Sequence, residues 1–363
     1  MSKRILIIGP FPLPTTGVSL ANQVVAKYLG NTQEYTITSL NTSYSSFDEK
    51  LGRFSFKKMW FYLSLNLSLH KVLKADIIYI TPGQTFFGVL KYTVFIVLAS
   101  ILNKSLVLHI HGNYLGKQYE LLKGIKRKVF HNLMSRTSTG IVLSESLVPN
   151  FKPFIAEDKI HILKNFVIDE LFFEQDIIKQ KNFKTLKIVY LSNLMVEKGI
   201  LDLLQALEIL EQNNINYEAQ IAGNIALENE EFILSKLAKL QFTQYIGIVN
   251  VSQKVALFKW SNVFVLPTYY TMEGQPISIL EAMATGNVIL TTNHAGIPDM
   301  FKNGKNGFFV EKKNPEDIAV KLTTLNNQTS QIETIAISNF EEAKREYSVD
   351  KFIGRLKDIL SHS

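Results

Sequence analysis

Short apolar, β-branched blocks alternate with longer amphipathic stretches along the whole chain, and little besides parallel sheets flanked by helices accommodates that alternation. A parallel strand is covered on both faces, so it reads as a continuous apolar run. Strand-like blocks, some with polar positions among the apolar ones, occur at 4–8, 36–40, 76–80, 105–111 and 139–143. The pattern restarts at 187–192 and continues at 217–222, 244–247, 262–266, 288–291 and 307–310. At 363 residues the chain is long for one ordinary domain. The expectation is α/β with two Rossmann-like, doubly wound parallel-sheet domains facing across a cleft: 1–168, then 169–348. The polar stretch 169–184 reads as a linker. A last helical pattern, 349–363, follows the second sheet, and the first domain is one surface on which it can pack.

Composition removes several classes. There is no cysteine, so disulfides, thiolate catalysis and cysteine-ligated metals are excluded. No apolar run reaches the roughly 20 residues of a membrane-spanning helix. The nearest, 86–102, is interrupted by Lys91 and reads as a buried helix. The basic start Met1-Ser2-Lys3-Arg4 leads into only four apolar residues before Gly9, so it reads as a first strand and the expected location is cytoplasmic.

The net charge of +7 is unevenly spread. Residues 1–165 carry 20 Lys and Arg against 8 Asp and Glu, whereas residues 166–363 carry 19 against 24. A cationic first half either serves solubility or attracts an anionic partner. No zinc-finger spacing or RNA-binding signature accompanies it, so nucleic acid is not expected. Lys117, Lys123, Lys126, Arg127, Lys128 and Arg136 are interleaved with Leu121, Leu122, Ile125, Val129, Phe130 and Leu133. That pattern is an amphipathic basic helix, either an ordinary surface helix or one for peripheral contact with an anionic membrane.

The densest chemical signal is Met272-Glu-Gly-Gln-Pro-Ile-Ser-Ile-Leu-Glu-Ala-Met-Ala-Thr-Gly286, between the apolar runs 262–266 and 288–291. Pro276 suits a first helical turn and Gly286 a helix stop, so Glu273 falls in the loop before a helix and Glu281 within it. The free backbone N–H groups at such a helix start receive a diphosphate. Glu273, repelled by phosphate, suits sugar hydroxyls or the positive charge of an oxocarbenium-like transition state.

Glu273 and Glu281 with Gly274, Gln275, Pro276 and Ile277 between them resemble the signature of retaining GT-B glycosyltransferases of family 4, the glycosyl transferases group 1. The resemblance continues through Asn293-His-Ala-Gly-Ile-Pro-Asp299 and Asn303-Gly-Lys-Asn-Gly307. The loop Gly9 to Gly17 after the first apolar run is similar to the family's N-terminal loop, where glycine lets the backbone approach donor phosphates. Tyr190-Leu-Ser-Asn-Leu-Met-Val-Glu-Lys-Gly199 resembles the family's phosphate-binding segment, with Lys198 expected to neutralise the leaving diphosphate. Asn193 stands where the family usually has Arg, which removes a charge and a bidentate clamp. His111, after His109 at the end of an apolar run, resembles the family histidine that reaches the donor sugar.

The resemblance implies a GT-B fold and a retaining, metal-independent hexosyltransferase of cell-surface polysaccharide synthesis. It implies transfer of a hexose or N-acetylhexosamine from a nucleotide-sugar donor, expected to be a UDP-sugar, to a glycan or lipid-linked acceptor. Glu273, His111 and Lys198 are the expected catalytic residues. Gly17, Asn193, Lys198, Gly274, Gln275, Pro276, Ile277 and Glu281 are expected to bind the donor, Glu281 at the ribose. No cofactor and no metal is expected: there is no Asp-x-Asp motif, and a zinc site on His109 and His111 lacks an identifiable third ligand. The competing readings are a nucleotide-sugar epimerase of the same fold and a non-catalytic binding subunit.

Overall fold

The computed structural model describes residues 2–44, 60–62 and 64–362. Contacts divide it into two units, Met1–Asn165 with Asp350–Ser363, and Phe166–Val349.

The first unit contains β1 (Lys3–Gly9), β2 (Tyr35–Asn41), β3 (Ile77–Ile80), β4 (Ser105–Ile110), β5 (Thr139–Val142) and β6 (Ile160–Ile162). All pair in parallel, in the order β2-β1-β3-β4-β5-β6. The run expected at 105–111 ends as a strand at Ile110, leaving His111 just past the carboxyl end. Strand β6 was not anticipated. It has three residues, all partly exposed on the sheet's edge, so no apolar run announces it. The terminal helix Val349–Ser361 belongs to this unit. Its Phe352, Leu356 and Leu360 are buried, Lys3 donates to the Leu360 carbonyl at 3.2 Å, and Lys357 pairs with Glu34 at 3.1 Å.

Two helical expectations are corrected. The segment 86–102 forms two short helices, Phe86–Leu90 and Thr93–Ile101, rather than one buried helix. Thr85 caps the first by accepting from Gly88 N at 3.1 Å, and Phe87, Val94 and Ile101 face outward. The basic stretch 117–136 is likewise split, into Leu115–Leu121 and Gly124–Met134. Leu122 takes an extended conformation and turns its side chain into the core, which breaks the helix. Among the described residues, no helix is long and apolar enough to cross a membrane.

The second unit contains β7 (Leu186–Leu191), β8 (Tyr217–Ala222), β9 (Thr243–Gly247), β10 (Val263–Leu266), β11 (Val288–Thr291) and β12 (Gly307–Phe309), parallel in the order β12-β11-β10-β7-β8-β9. Its first strand, β7, therefore lies in the middle, and the winding reverses between β7 and β10. In open α/β sheets that reversal opens a crevice at the strands' carboxyl ends, where ligands bind.

The stretch 169–184 is no linker but part of this unit's packing. Leu171 and Ile178 are buried in the core, and Ile178 lies over Gly286, where a Cβ would meet its Cγ2 at 2.6 Å. Lys181, also buried, donates to the carbonyls of Ser261 (2.7 Å) and Gly286 (3.2 Å), and burial lowers its pKa well below the usual lysine value. Charged residues at 169–184 suggested solvent, but the apolar positions between them and the stem of Lys181 are what pack.

Candidate functional site

The carboxyl ends of β7 and β10 are adjacent, since Val263 pairs with Ile188 and Phe264 with Val189. Each strand ends in a loop that carries an expected site residue. After β7 the chain makes a 3₁₀ turn, Val196–Lys198, and closes it on Gly199 at φ 78°. After β10 it runs through Pro267 and Thr268 to Glu273. The two loops are joined by backbone: Tyr269 N donates to the Glu197 carbonyl at 2.8 Å. Contact is so close that a Cβ on Gly199 would lie 2.4 Å from the Pro267 carbonyl oxygen, which together with its left-handed φ explains the glycine.

This brings Lys198 onto Glu273. The ammonium donates to both carboxylate oxygens, at 2.9 Å to Oε1 and 2.7 Å to Oε2. Thr268 Oγ1 adds a third bond to Oε2 at 2.9 Å. The Tyr270 ring lies 5.1 Å from Lys198 Nζ, a cation–π distance. Glu273 is buried, so a carboxylate there needs these charge-assisted partners. His294 closes the side: its Nε2 donates to the Tyr270 carbonyl at 2.8 Å while Nδ1 accepts from Lys312 at 3.1 Å. Burial, with Lys312 adding to it, lowers the His294 pKa and favours the neutral ring that this pattern requires.

The helix Ile277–Ala284 follows, with Pro276 as its N-cap residue and no side chain capping it, so its first N–H groups are not taken by a cap side chain. Gly274 accepts from Gly296 N at 3.1 Å, fixing the loop against the segment after β11. Gln275 is buried beside it. Glu281, one turn into the helix and also buried, receives Lys254 Nζ on Oε1 at 2.7 Å. Asn193 is exposed at the start of the β7 loop, where its carbonyl accepts from Tyr190 OH at 3.1 Å.

Gly17 and His111 belong to the first unit. Gly17 is exposed and begins the helix Gly17–Gly30, whose cap Thr16 exchanges bonds with Ser19 in a capping box. His109 is fully buried and bonds Tyr79 OH through Nδ1 at 2.6 Å. The His111 ring sits 4.0 Å away from it, on the same face of the sheet. Burial depresses both, His111 to about 3 and His109 well below the usual range, so both are neutral near pH 7. Among the described residues, no group of three His, Asp or Glu side chains could hold a metal ion.

Thr268 and Lys254 escaped sequence reasoning. Thr268 carries a weak signal, being two residues past the end of a strand that precedes the Glu273 loop. Lys254 carries none, since only folding brings the helix Val251–Trp260 against Glu281.

Residues 172–340 match the family model described as glycosyl transferases group 1. That segment, which makes up most of the second unit, is thus similar to a group 1 glycosyltransferase domain. CapM, a capsular polysaccharide biosynthesis glycosyltransferase of Staphylococcus aureus, is 29% identical over 248 residues, which is 64% of this chain and 65% of CapM. WcaL of Salmonella typhimurium, a putative colanic acid biosynthesis glycosyltransferase, is 28% identical over 142 residues, 38% of this chain and 35% of WcaL. The chain thus matches less than two thirds of either relative's length. The fold extends further than the sequence likeness. Anabaena HepE, solved in complex with UDP, superposes with a TM-score of 0.75 at 17% identity, covering 99% of this chain and all of that one. Both six-stranded domains are therefore those of a GT-B fold.

Proposed function

We propose that this chain is a retaining, metal-independent glycosyltransferase that moves a hexose or N-acetylhexosamine from a nucleotide-sugar to a glycan or lipid-linked acceptor in cell-surface polysaccharide synthesis. The observation that carries this reading is the convergence of Lys198 and Glu273 at the point where the second sheet reverses its winding. Relatives named for capsule and colanic acid synthesis favour the pathway class, and a UDP complex of a like-folded protein favours uridine in the donor.

In this reading Lys198 and the first N–H groups of the helix Ile277–Ala284 stabilise the leaving diphosphate. The bond from the anomeric carbon to the phosphate oxygen breaks and its electron pair leaves with the diphosphate. The acceptor hydroxyl bonds to the same carbon from the leaving-group side and gives its proton to the donor phosphate, so configuration is retained. Glu273 stabilises the oxocarbenium-like centre or its hydroxyls. Glu281 binds the ribose, and Gln275 and Asn193 line the donor. In the first unit, His111 offers a neutral hydrogen-bonding group to the sugar and Gly17 a backbone N–H to phosphate.

Peripheral contact with an anionic membrane on its cytoplasmic face fits the first unit's surface. Ile125 is 80% and Phe87 71% exposed, on neighbouring helices whose contact includes Lys126 Nζ at 5.9 Å from the Phe86 ring. Lys123, Arg127 and Lys128 are exposed beside them. Apolar tips ringed by cations match an interface between headgroups and acyl chains. The function is tested by incubating the protein with radiolabelled UDP-sugars, with and without a lipid extract. Label passing to the lipid fraction supports transfer, whereas an epimerised donor formed without acceptor supports the epimerase reading.

A further inference from the structure

Glu281 is almost sealed from solvent, its side chain 3% exposed, yet among the described residues its carboxylate has one protein partner, Lys254. A buried carboxylate offers about four acceptor positions, and leaving them unused is costly. Here one ammonium occupies Oε1 at 2.7 Å and Oε2 is left to accept from something else. The lysine is itself firmly placed. Its helix, Val251–Trp260, opens with a capping box in which Asn250 and Gln253 exchange bonds of 2.9 Å each way, and Lys254 N closes the first turn on the Asn250 carbonyl at 2.8 Å. Its side chain is only 18% exposed, so this is no loose surface pair.

We infer that Lys254 is a positioning residue: by holding Oε1 it turns the Glu281 carboxylate so that Oε2 accepts from a hydroxyl of the nucleotide ribose. The inference rests on the donor reading above, and supplies it with a residue outside the motif. A purely structural ion pair would instead stabilise the fold without sensing which hydroxyls the ligand carries.

The test is calorimetric titration of wild type and K254M with UDP, 2′,3′-dideoxy-UDP and inorganic pyrophosphate. Wild type should lose about tenfold in affinity when the ribose hydroxyls are removed, the scale of a hydrogen bond to a charged group. K254M should bind UDP about tenfold more weakly than wild type, with the dideoxy penalty reduced to less than about twofold and pyrophosphate affinity unchanged. An equal loss on all three ligands, or a dideoxy penalty intact in K254M, overturns the inference and leaves the donor reading standing. So does a wild type that binds UDP and its dideoxy analogue alike. If wild type binds no nucleoside diphosphate, with GDP and ADP tried beside UDP, the donor reading fails as well. K254Q, which keeps an amide donor and most of the side-chain volume, is carried in parallel and replaces K254M if that variant's unfolding midpoint falls by more than about 5 °C.

Discussion

Lys198 Nζ bonds both carboxylate oxygens of Glu273, which the loops after β7 and β10 bring together from positions 75 residues apart in sequence. The pair balances charge in a buried place, and in the proposed function the Lys198 ammonium serves the donor phosphate. Replacing Glu273 by Gln keeps the shape and the Thr268 contact but removes the negative charge. We expect turnover of the nucleotide-sugar to fall by about a hundredfold or more, with donor affinity changed less, as steady-state kinetics would separate.

Lys198→Met leaves Glu273 buried with Thr268 as its remaining side-chain partner. Breaking such a pair should cost roughly 1–3 kcal/mol, below the range for fully buried pairs because Lys198 keeps some solvent contact. Urea denaturation gives the value. The double variant with Glu273→Gln should recover part of it, because no charge is then left unpaired.

Gly199→Ala probes the loop junction without touching a charged group. Its φ of 78° and the approach of Pro267 O to within 2.4 Å of a built Cβ leave no room for a methyl group. A loss of roughly 1–3 kcal/mol is expected, together with weaker activity, since the shift passes straight to Lys198 and Thr268. A variant as stable and active as wild type would contradict the close packing of these loops.

Much of this was legible in advance. Strands β10 and β11 fall in the apolar runs at 262–266 and 288–291 and are buried throughout, because strands covered on both faces have little room for polar residues. The loop position of Glu273 and the helical position of Glu281 followed from Pro276 and Gly286. What stayed hidden depends on distant partners. Nothing local marks Lys181 as buried, because its two carbonyl acceptors come from Ser261 and Gly286. Lys254 lies on a polar helix surface until Glu281 arrives from 27 residues later. The break at Leu122 has a tertiary cause too, since the core takes its side chain.

The neutral His111 makes stability depend on pH. Its pKa is about 3 in the folded protein against an ordinary value of 6.5. Between those values the unfolded chain binds a proton that the folded chain does not, so stability is intact above about pH 6.5 and declines as pH falls toward 3. The slope is about 1.4 kcal/mol per pH unit for one such group well below 6.5. The difference in unfolding free energy between wild type and His111→Asn should therefore shrink by roughly 1–2 kcal/mol between pH 7 and pH 5.

For the membrane contact, flotation with vesicles containing about one third phosphatidylglycerol should carry the protein upward. Ile125→Glu combined with Phe87→Glu should leave it at the bottom, as should wild type with neutral vesicles or at about 1 M salt, where charge attraction is screened. Wild-type protein that stays wholly at the bottom with anionic vesicles would remove this part of the account, and a concentration-dependent dimer lost in the double variant would reassign the patch to self-association.

The most direct test of the central claim is titration of UDP, GDP and ADP into wild type, Lys198→Met and Glu281→Ala. At least one nucleoside diphosphate is expected to bind the wild type, and each substitution to weaken it about tenfold or more. Absence of binding by all three nucleotides, or unchanged affinity in both variants, would contradict a donor site built on Lys198, Glu273 and Glu281.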